Sequence, residues 1–95
     1  MPTYITLLTY TPQGIEKIKE SPARLEKARG AIKAAGGEMK AFYLTMGAYD
    51  CVAISEAPSN EAYAKSMLAI ASSGAVRTET LCAFSEAEYR SIVSG

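Results

Sequence analysis

The chain predicts an α+β fold, a four-stranded antiparallel sheet with its helices packed on it, and three observations carry that expectation. The spacing of apolar residues alternates between the two-residue period of strands and the three-to-four-residue period of helices, in the order β-α-β-β-α-β. Turn or capping residues stand at each change of period. The strand-like segments are apolar on both sides, so both faces of the sheet need cover. At 95 residues the chain is expected to be one domain over 1–95, with a single modest core and no room for a separate cofactor domain.

Residues 3–10, TYITLLTY, are β-branched and aromatic and end at Thr11-Pro12-Gln13-Gly14, a turn signature. From Ile15 the period lengthens: Ile15, Ile18, Leu25, Ala28, Ile32 and Ala35 recur as one face of a helix does. Pro22 lacks the N–H that an interior turn would use but suits a first helical position. The pattern therefore predicts a short helical turn, then a longer helix over about 22–35 with Ser21 as N-cap. Gly36-Gly37 supplies a left-handed stop.

EMKAFYLTM, 38–46, and CVAISEA, 51–57, read as two strands of a hairpin around Gly47-Ala48-Tyr49-Asp50. Ser59 opens a second helix whose expected apolar stripe is Ala64, Met67, Leu68 and Ala71, closed at Ser73-Gly74. AVRTETLCAF, 75–84, is the fourth strand. Ser85 and Glu88 form the S-x-x-E capping box of a last helix carrying Tyr89, Ile92 and Val93.

This order, with its C-terminal helix, is the ferredoxin-like arrangement. Right-handed crossovers put both main helices on one face of the sheet, in strand order 4-1-3-2. Strand one has Ile5 and Leu7 on one side and Tyr4, Leu8 and Tyr10 on the other, and strand three has Val52 and Ile54 opposite Cys51 and Ala53. No segment is left to cover the second face, so a second copy of the chain is the expected cover, making the protein at least a dimer. A one-residue shift of register would exchange Leu7 and Leu8 between the faces.

Composition removes much chemistry. Ten basic and ten acidic side chains cancel, which gives no electrostatic footprint for nucleic acid or anionic membrane. No apolar run approaches a membrane span and the N-terminus lacks the form of a signal peptide, so the expected location is cytoplasmic. Histidine is absent; imidazole-bound metals, proximal-His haem and Ser-His-Asp triads are thereby excluded within the chain. Cys51 and Cys82 lack metal-site spacing, and strand one separates their strands, so no disulfide joins them. Neither a metal nor a cofactor is expected.

TYITLLTYTPQGIEKIKESPARLEKAR, FYLTMGAYD, SGAVRTETLCAF and SEAEYRSIV together resemble the GYD domain family of small bacterial and archaeal proteins, whose name reflects the Gly-x-Tyr-Asp turn, here Gly47 to Asp50. The resemblance covers nearly the whole chain. It implies a ferredoxin-like fold of the dimeric α+β barrel type, and no established activity. MPTYI also looks like the start of a tautomerase, in which an exposed Pro2 would be the base; the rest of the chain follows the GYD pattern, which does not depend on a proline there.

The candidate site residues each have two readings. Gly47 and Asp50 are ordinary turn chemistry, with Tyr49 packed over the hairpin; alternatively Tyr49 and Asp50 line a cleft, Asp50 as catalytic base or anchor and the phenol as donor. Arg77 and Glu79 project to one face, as a surface ion pair or with Arg77 binding a ligand carboxylate or phosphate. Tyr4, Tyr10, Phe42 and Tyr43 are core or interface, or the wall of a site for an aromatic or fatty ligand. Arg24 is assigned to the helix surface and the cysteines to the core.

Two function classes follow. The first is a homo-oligomeric module holding a small, partly apolar ligand between the sheet and a helix or partner, with Tyr43, Tyr49, Asp50 and Arg77 as binding candidates. The alternative is a cofactor-independent isomerase or monooxygenase using Asp50 with Tyr49 or Tyr43, and it rests on fold analogy. RNA binding on the open sheet is disfavoured because no basic patch surrounds the aromatics.

Overall fold

The computed structural model describes residues 1–95. Its strands are β1 (Thr3–Tyr10), β2 (Glu38–Leu44), β3 (Cys51–Glu56) and β4 (Val76–Ala83), and its helices α1 (Pro12–Glu16), α2 (Ser21–Ala34), α3 (Asn60–Ala71) and α4 (Glu86–Ser94). The strands form one antiparallel sheet in the order β2-β3-β1-β4. That is the expected order read from the other edge, and the architecture is ferredoxin-like α+β.

The segment after β1 departs from the expected turn. Thr11 caps α1, accepting the Gly14 N–H at 3.1 Å, and its hydroxyl donates to the Gly74 carbonyl at 2.6 Å. Pro12 takes a first-turn position where an N–H would have no partner. Gly14 presses so close to β4 that a Cβ there would lie 2.1 Å from the Ala75 carbonyl oxygen. The end of β1 is thus stitched to the start of β4.

Ser21 does not cap α2. A 3-10 turn over Ile18–Glu20 runs straight into the helix and its Ile18 carbonyl accepts the Ser21 N–H, so Ser21 is already helical. The break in helix axis turns Ile15 and Ile18 outward, both exposed, while Leu25, Ala28 and Ile32 pack against the core. α2 stops as expected: Gly36 has φ +88°, its N–H bonds the Lys33 carbonyl, and the Gly37 N–H bonds the Ile32 carbonyl.

In α3 the Ser59 hydroxyl accepts the Ala62 N–H at 3.2 Å. The inward stripe is Tyr63, Ser66, Met67 and Ile70, not Ala64, Met67, Leu68 and Ala71; Leu68 is 73% exposed. The helix is rotated because Tyr63 has more to gain from burial than Leu68. Its ring stacks on Tyr4 with centroids 4.3 Å apart, and its hydroxyl meets that of Thr6 at 2.6 Å.

The register settles the two faces. Tyr4, Thr6, Leu8 and Tyr10 of β1 turn toward the helices, where Tyr4 and Thr6 are buried and Leu8 packs against the core. Leu7 points to the open face beside its partners Val52 and Glu79, and Ile5 sits between Ile54 and Leu81. Lys40 is the extra residue of a bulge in β2, after which Ala41 and Tyr43 join the open face. Cys51 and Cys82 are both free thiols. They pair with Leu8 and Tyr4 on opposite sides of β1.

The capping box of α4 forms in full, Ser85 N–H to Glu88 at 2.8 Å and Glu88 N–H to Ser85 at 3.1 Å. From Phe84 onward, every residue is exposed, including Tyr89, Ile92 and Val93. This amphipathic helix therefore buries its apolar face against nothing in its own chain.

Candidate ligand site

Two regions bear on function: a cavity on the helix side of the sheet, and the Gly-x-Tyr-Asp turn. The cavity measures about 370 Å³ and lies between α2, α3 and the strands, with Leu8, Leu25, Ala28, Phe42, Met67 and Ile70 among its apolar walls. Its volume falls in the range of small-molecule pockets. The Thr6–Tyr63 hydroxyl pair, 2.6 Å apart, lies at one end among apolar side chains.

The other end is polar. The Cys51 thiol donates to the Tyr10 phenol oxygen at 3.2 Å. Ser21 and Arg24 of α2 stand at the same end, with Glu20 and Lys27 on the lining. Arg24 is half-buried rather than on the helix surface: it donates to the Lys17 carbonyl at 3.1 Å and the Gly14 carbonyl at 3.3 Å, spanning the α1–α2 corner. Burial, followed by the bond with Cys51, pushes the Tyr10 phenol above its ordinary pKa, while the Ser21 hydroxyl and the Arg24 charge pull it back. Burial also raises the Cys51 thiol, partly offset by Tyr10, with the Asp50 charge adding to the rise.

At the turn, Gly47 adopts φ +131°, which favours glycine. Asp50 extends the β1–β3 pairing: its N–H donates to the Leu8 carbonyl, its carbonyl accepts from Thr45, and its carboxylate accepts the Tyr10 N–H at 2.9 Å. Tyr49 reaches across the open face and donates to Glu79 at 2.6 Å, and that carboxylate holds the phenol above its ordinary pKa. Glu79 therefore pairs with Tyr49, and Arg77, on the same face, makes no ion pair. Tyr43, 58% exposed, lies on that face beside Val52.

The structure thus gathers Tyr43, Tyr49 and Arg77 on the open face and places the cavity on the other side. Asp50 connects them only through backbone bonds to Leu8 and Tyr10. Of the aromatic collection, Tyr10 and Phe42 line the cavity. Sequence reasoning missed Arg24 and Ser21 as cavity residues. A signal existed: Arg24, Ala28, Ala31 and Ile32 share one helix face, with the arginine at its start. No group of three or more Cys, Asp or Glu side chains is placed to hold a metal ion.

A four-stranded antiparallel sheet with two long helices on one face, a wholly apolar opposite centre and a Gly-x-Tyr-Asp hairpin defines a ferredoxin-like domain of a particular kind. The chain belongs to the GYD domain family, whose pattern it matches over residues 4–93. It is 37% identical over 82 residues to the glutamine synthetase and cystathionine beta-lyase binding protein of Thermus thermophilus, an alignment covering 85% of this chain and 86% of that protein.

Among solved structures it is similar to a feast or famine regulatory protein from M. tuberculosis complexed with L-methionine, at TM-score 0.68 and 19% identity. The match covers 90% of this chain but about half of that one, 51%, and shows the shared fold. TTHA0845 from Thermus thermophilus superposes at TM-score 0.57 with 26% identity, covering 90% of this chain and 95% of that one.

Proposed function

We propose that the protein is a cytoplasmic homo-oligomeric binding module. Two copies meet through their open sheet faces, and each holds a small, partly apolar molecule in the cavity between α2, α3 and the sheet. The cavity carries this reading: a partly open pocket of about 370 Å³ between helices and sheet has the size of a small-molecule site and a mostly apolar lining. The open face supports the pairing, with Ile5, Leu7, Val52, Ile54 and Leu81 contiguous and Tyr43, Tyr49 and Arg77 at the rim.

The test is calorimetry and thermal unfolding with a neutral amphiphile, 1-octanol. Binding should raise the melting temperature, and Ala28→Phe, which fills the void, should abolish that rise. A protein whose melting temperature ignores octanol, in both forms, is not a ligand module of this kind.

A second reading is favoured by α4 and by the relative's name. That Thermus protein is described as binding two enzymes, and here α4 projects Tyr89, Ile92 and Val93 unburied, a surface suited to a protein partner. Ile92→Lys should then weaken binding to purified glutamine synthetase without changing octanol binding. The isomerase or monooxygenase alternative gains no support from Asp50, whose carboxylate is engaged by the Tyr10 N–H and which does not line the cavity.

A further inference from the structure

We infer that the cavity selects an amphiphilic monocarboxylic acid, its carboxylate held by Arg24, Tyr10 and Ser21 and its apolar tail laid along β1 toward Tyr63. This inference rests on the cavity being a ligand site and adds the chemical class of the ligand.

The polarity of the cavity is one-ended. From Tyr10 to Thr6 the floor runs four residues along β1, about 13 Å at the rise of an extended strand. At the far end the hydroxyls of Thr6 and Tyr63 are 2.6 Å apart and satisfy each other, so a ligand atom arriving there meets no polar group in need of a partner. Between the ends the walls are mainly aliphatic or aromatic, with Thr78, the register partner of Leu8, as a polar exception. A tail without polar atoms is the chemistry that fits this stretch, because a buried polar atom without a partner is costly.

The near end offers donors and positive charge. Tyr10 shares one hydrogen bond with Cys51, and a phenol oxygen can accept as well as donate, so its proton can be given to an incoming carboxylate. Arg24 has five N–H donors, of which two go to the Lys17 and Gly14 carbonyls; three remain, and those two bonds fix the plane of the guanidinium. Ser21 contributes a hydroxyl on the cavity lining, in the first turn of α2, where the helix end is positive. Ser21 and Arg24 line the same cavity as Tyr10. Counting the charged lining residues, Arg24 and Lys27 stand against Glu20, a balance of one positive charge. An anion with two acceptor oxygens matches this set; an ammonium meets donors and a cation.

Calorimetry at pH 7 on the full chain with three probes of one tail length, octanoate, 1-octanol and octylamine, tests the inference. Octanoate should bind at least about tenfold tighter than octanol, the effect of a charge-assisted hydrogen bond, and octylamine should bind most weakly. Arg24→Met should remove that preference by weakening octanoate about tenfold while octanol changes by less than about twofold, and Arg24→Lys should recover part of it. Circular dichroism checks that both variants fold.

Equal binding of octanoate and octanol would overturn the head-group assignment while leaving the cavity a ligand site. Binding of none of the three would overturn both. A preference for octanoate that survives Arg24→Met would show that the carboxylate is held elsewhere, which also overturns the inference.

Discussion

The two faces of the sheet are made from the same strands and solve the problem of water in different ways. On the helix side, β1 presents Tyr4, Thr6, Leu8 and Tyr10, and its hydroxyls find partners in Asn60, Tyr63 and Cys51; the packing around them leaves a void. On the open side, Ile5 and Leu7 lie among Val52, Ile54 and Leu81, with Glu79 of the edge strand beside Leu7. An apolar wall with a cavity and a few donors at one end suits a small molecule, whereas a continuous apolar centre with a polar rim suits another protein surface. On the proposed reading, one sheet separates ligand from partner by the parity of residue number, since a strand turns alternate side chains to opposite faces.

Neighbouring leucines give the largest contrast. Leu8→Lys would put an ammonium against the helix-side core without a partner, and the expected outcome is loss of the cooperative unfolding transition, followed by circular dichroism in urea. Leu7→Lys places the same charge on the open face and should leave a folded chain that light scattering finds as a monomer, where the proposed pairing makes the unmodified protein a dimer. The apolar area that Ile5, Leu7, Val52, Ile54 and Leu81 still expose, worth about 25 cal/mol per Å² when buried, is what must meet the association cost of about 4–15 kcal/mol. An unmodified protein that stays monomeric at micromolar concentration would remove the distinction between the faces.

Tyr63→Ala probes the helix side alone. It deletes the ring stacked on Tyr4 and leaves Thr6 with only the more distant Thr80 hydroxyl, at 3.2 Å, and the Met67 sulfur. The expected loss is about 3–5 kcal/mol in urea unfolding, with the oligomeric state kept. Dissociation of the dimer by this change would mean that the faces are mechanically coupled.

Asp50→Asn acts where the faces join, at the bond from Tyr10 N–H to the carboxylate. Loss of a charged acceptor should cost about 0.5–1.5 kcal/mol, while octanol binding in the cavity stays the same. A variant of unchanged stability that no longer binds would return Asp50 to the list of binding residues.

These contrasts also explain what could be read from the sequence. Element order was legible because its punctuation is local: Gly36 with its positive φ, the Ser59 cap and the Ser85–Glu88 box depend on residues a few positions apart. The rotation of α3 was not, since choosing Tyr63 over Leu68 depends on Tyr4 and Thr6, nearly sixty residues away. Ser21 was misread as a cap because the 3-10 turn before it already supplies a carbonyl. The apolar character of both faces was legible, but their parity was not, because a shift of one residue exchanges Leu7 and Leu8. The cavity was illegible for a simpler reason: a void is a distance between α2 and the sheet, and periodicity does not encode distances.

The smallest expected effect is at the rim of the open face. Tyr49 donates to Glu79, whose charge raises the phenol's pKa above the ordinary value. A group with a raised folded-state pKa favours the folded state while protonated, so its contribution is fully present below about pH 10 and is lost as pH rises through the folded-state value. Tyr4 and Tyr10 are raised as well, chiefly by burial, so the ultraviolet titration of the folded protein should show three phenols ionising late. Tyr49→Phe should remove one of the three and leave the two helix-side phenols as they were. Because Tyr49 lies at the surface, its melting-temperature difference from the unmodified protein should be slight near neutral pH and shrink further above pH 10. If the phenol that the variant loses is instead one that ionises at its ordinary pH, the Tyr49–Glu79 bond does not persist in solution, and the rim of the open face is less polar than the geometry gives it.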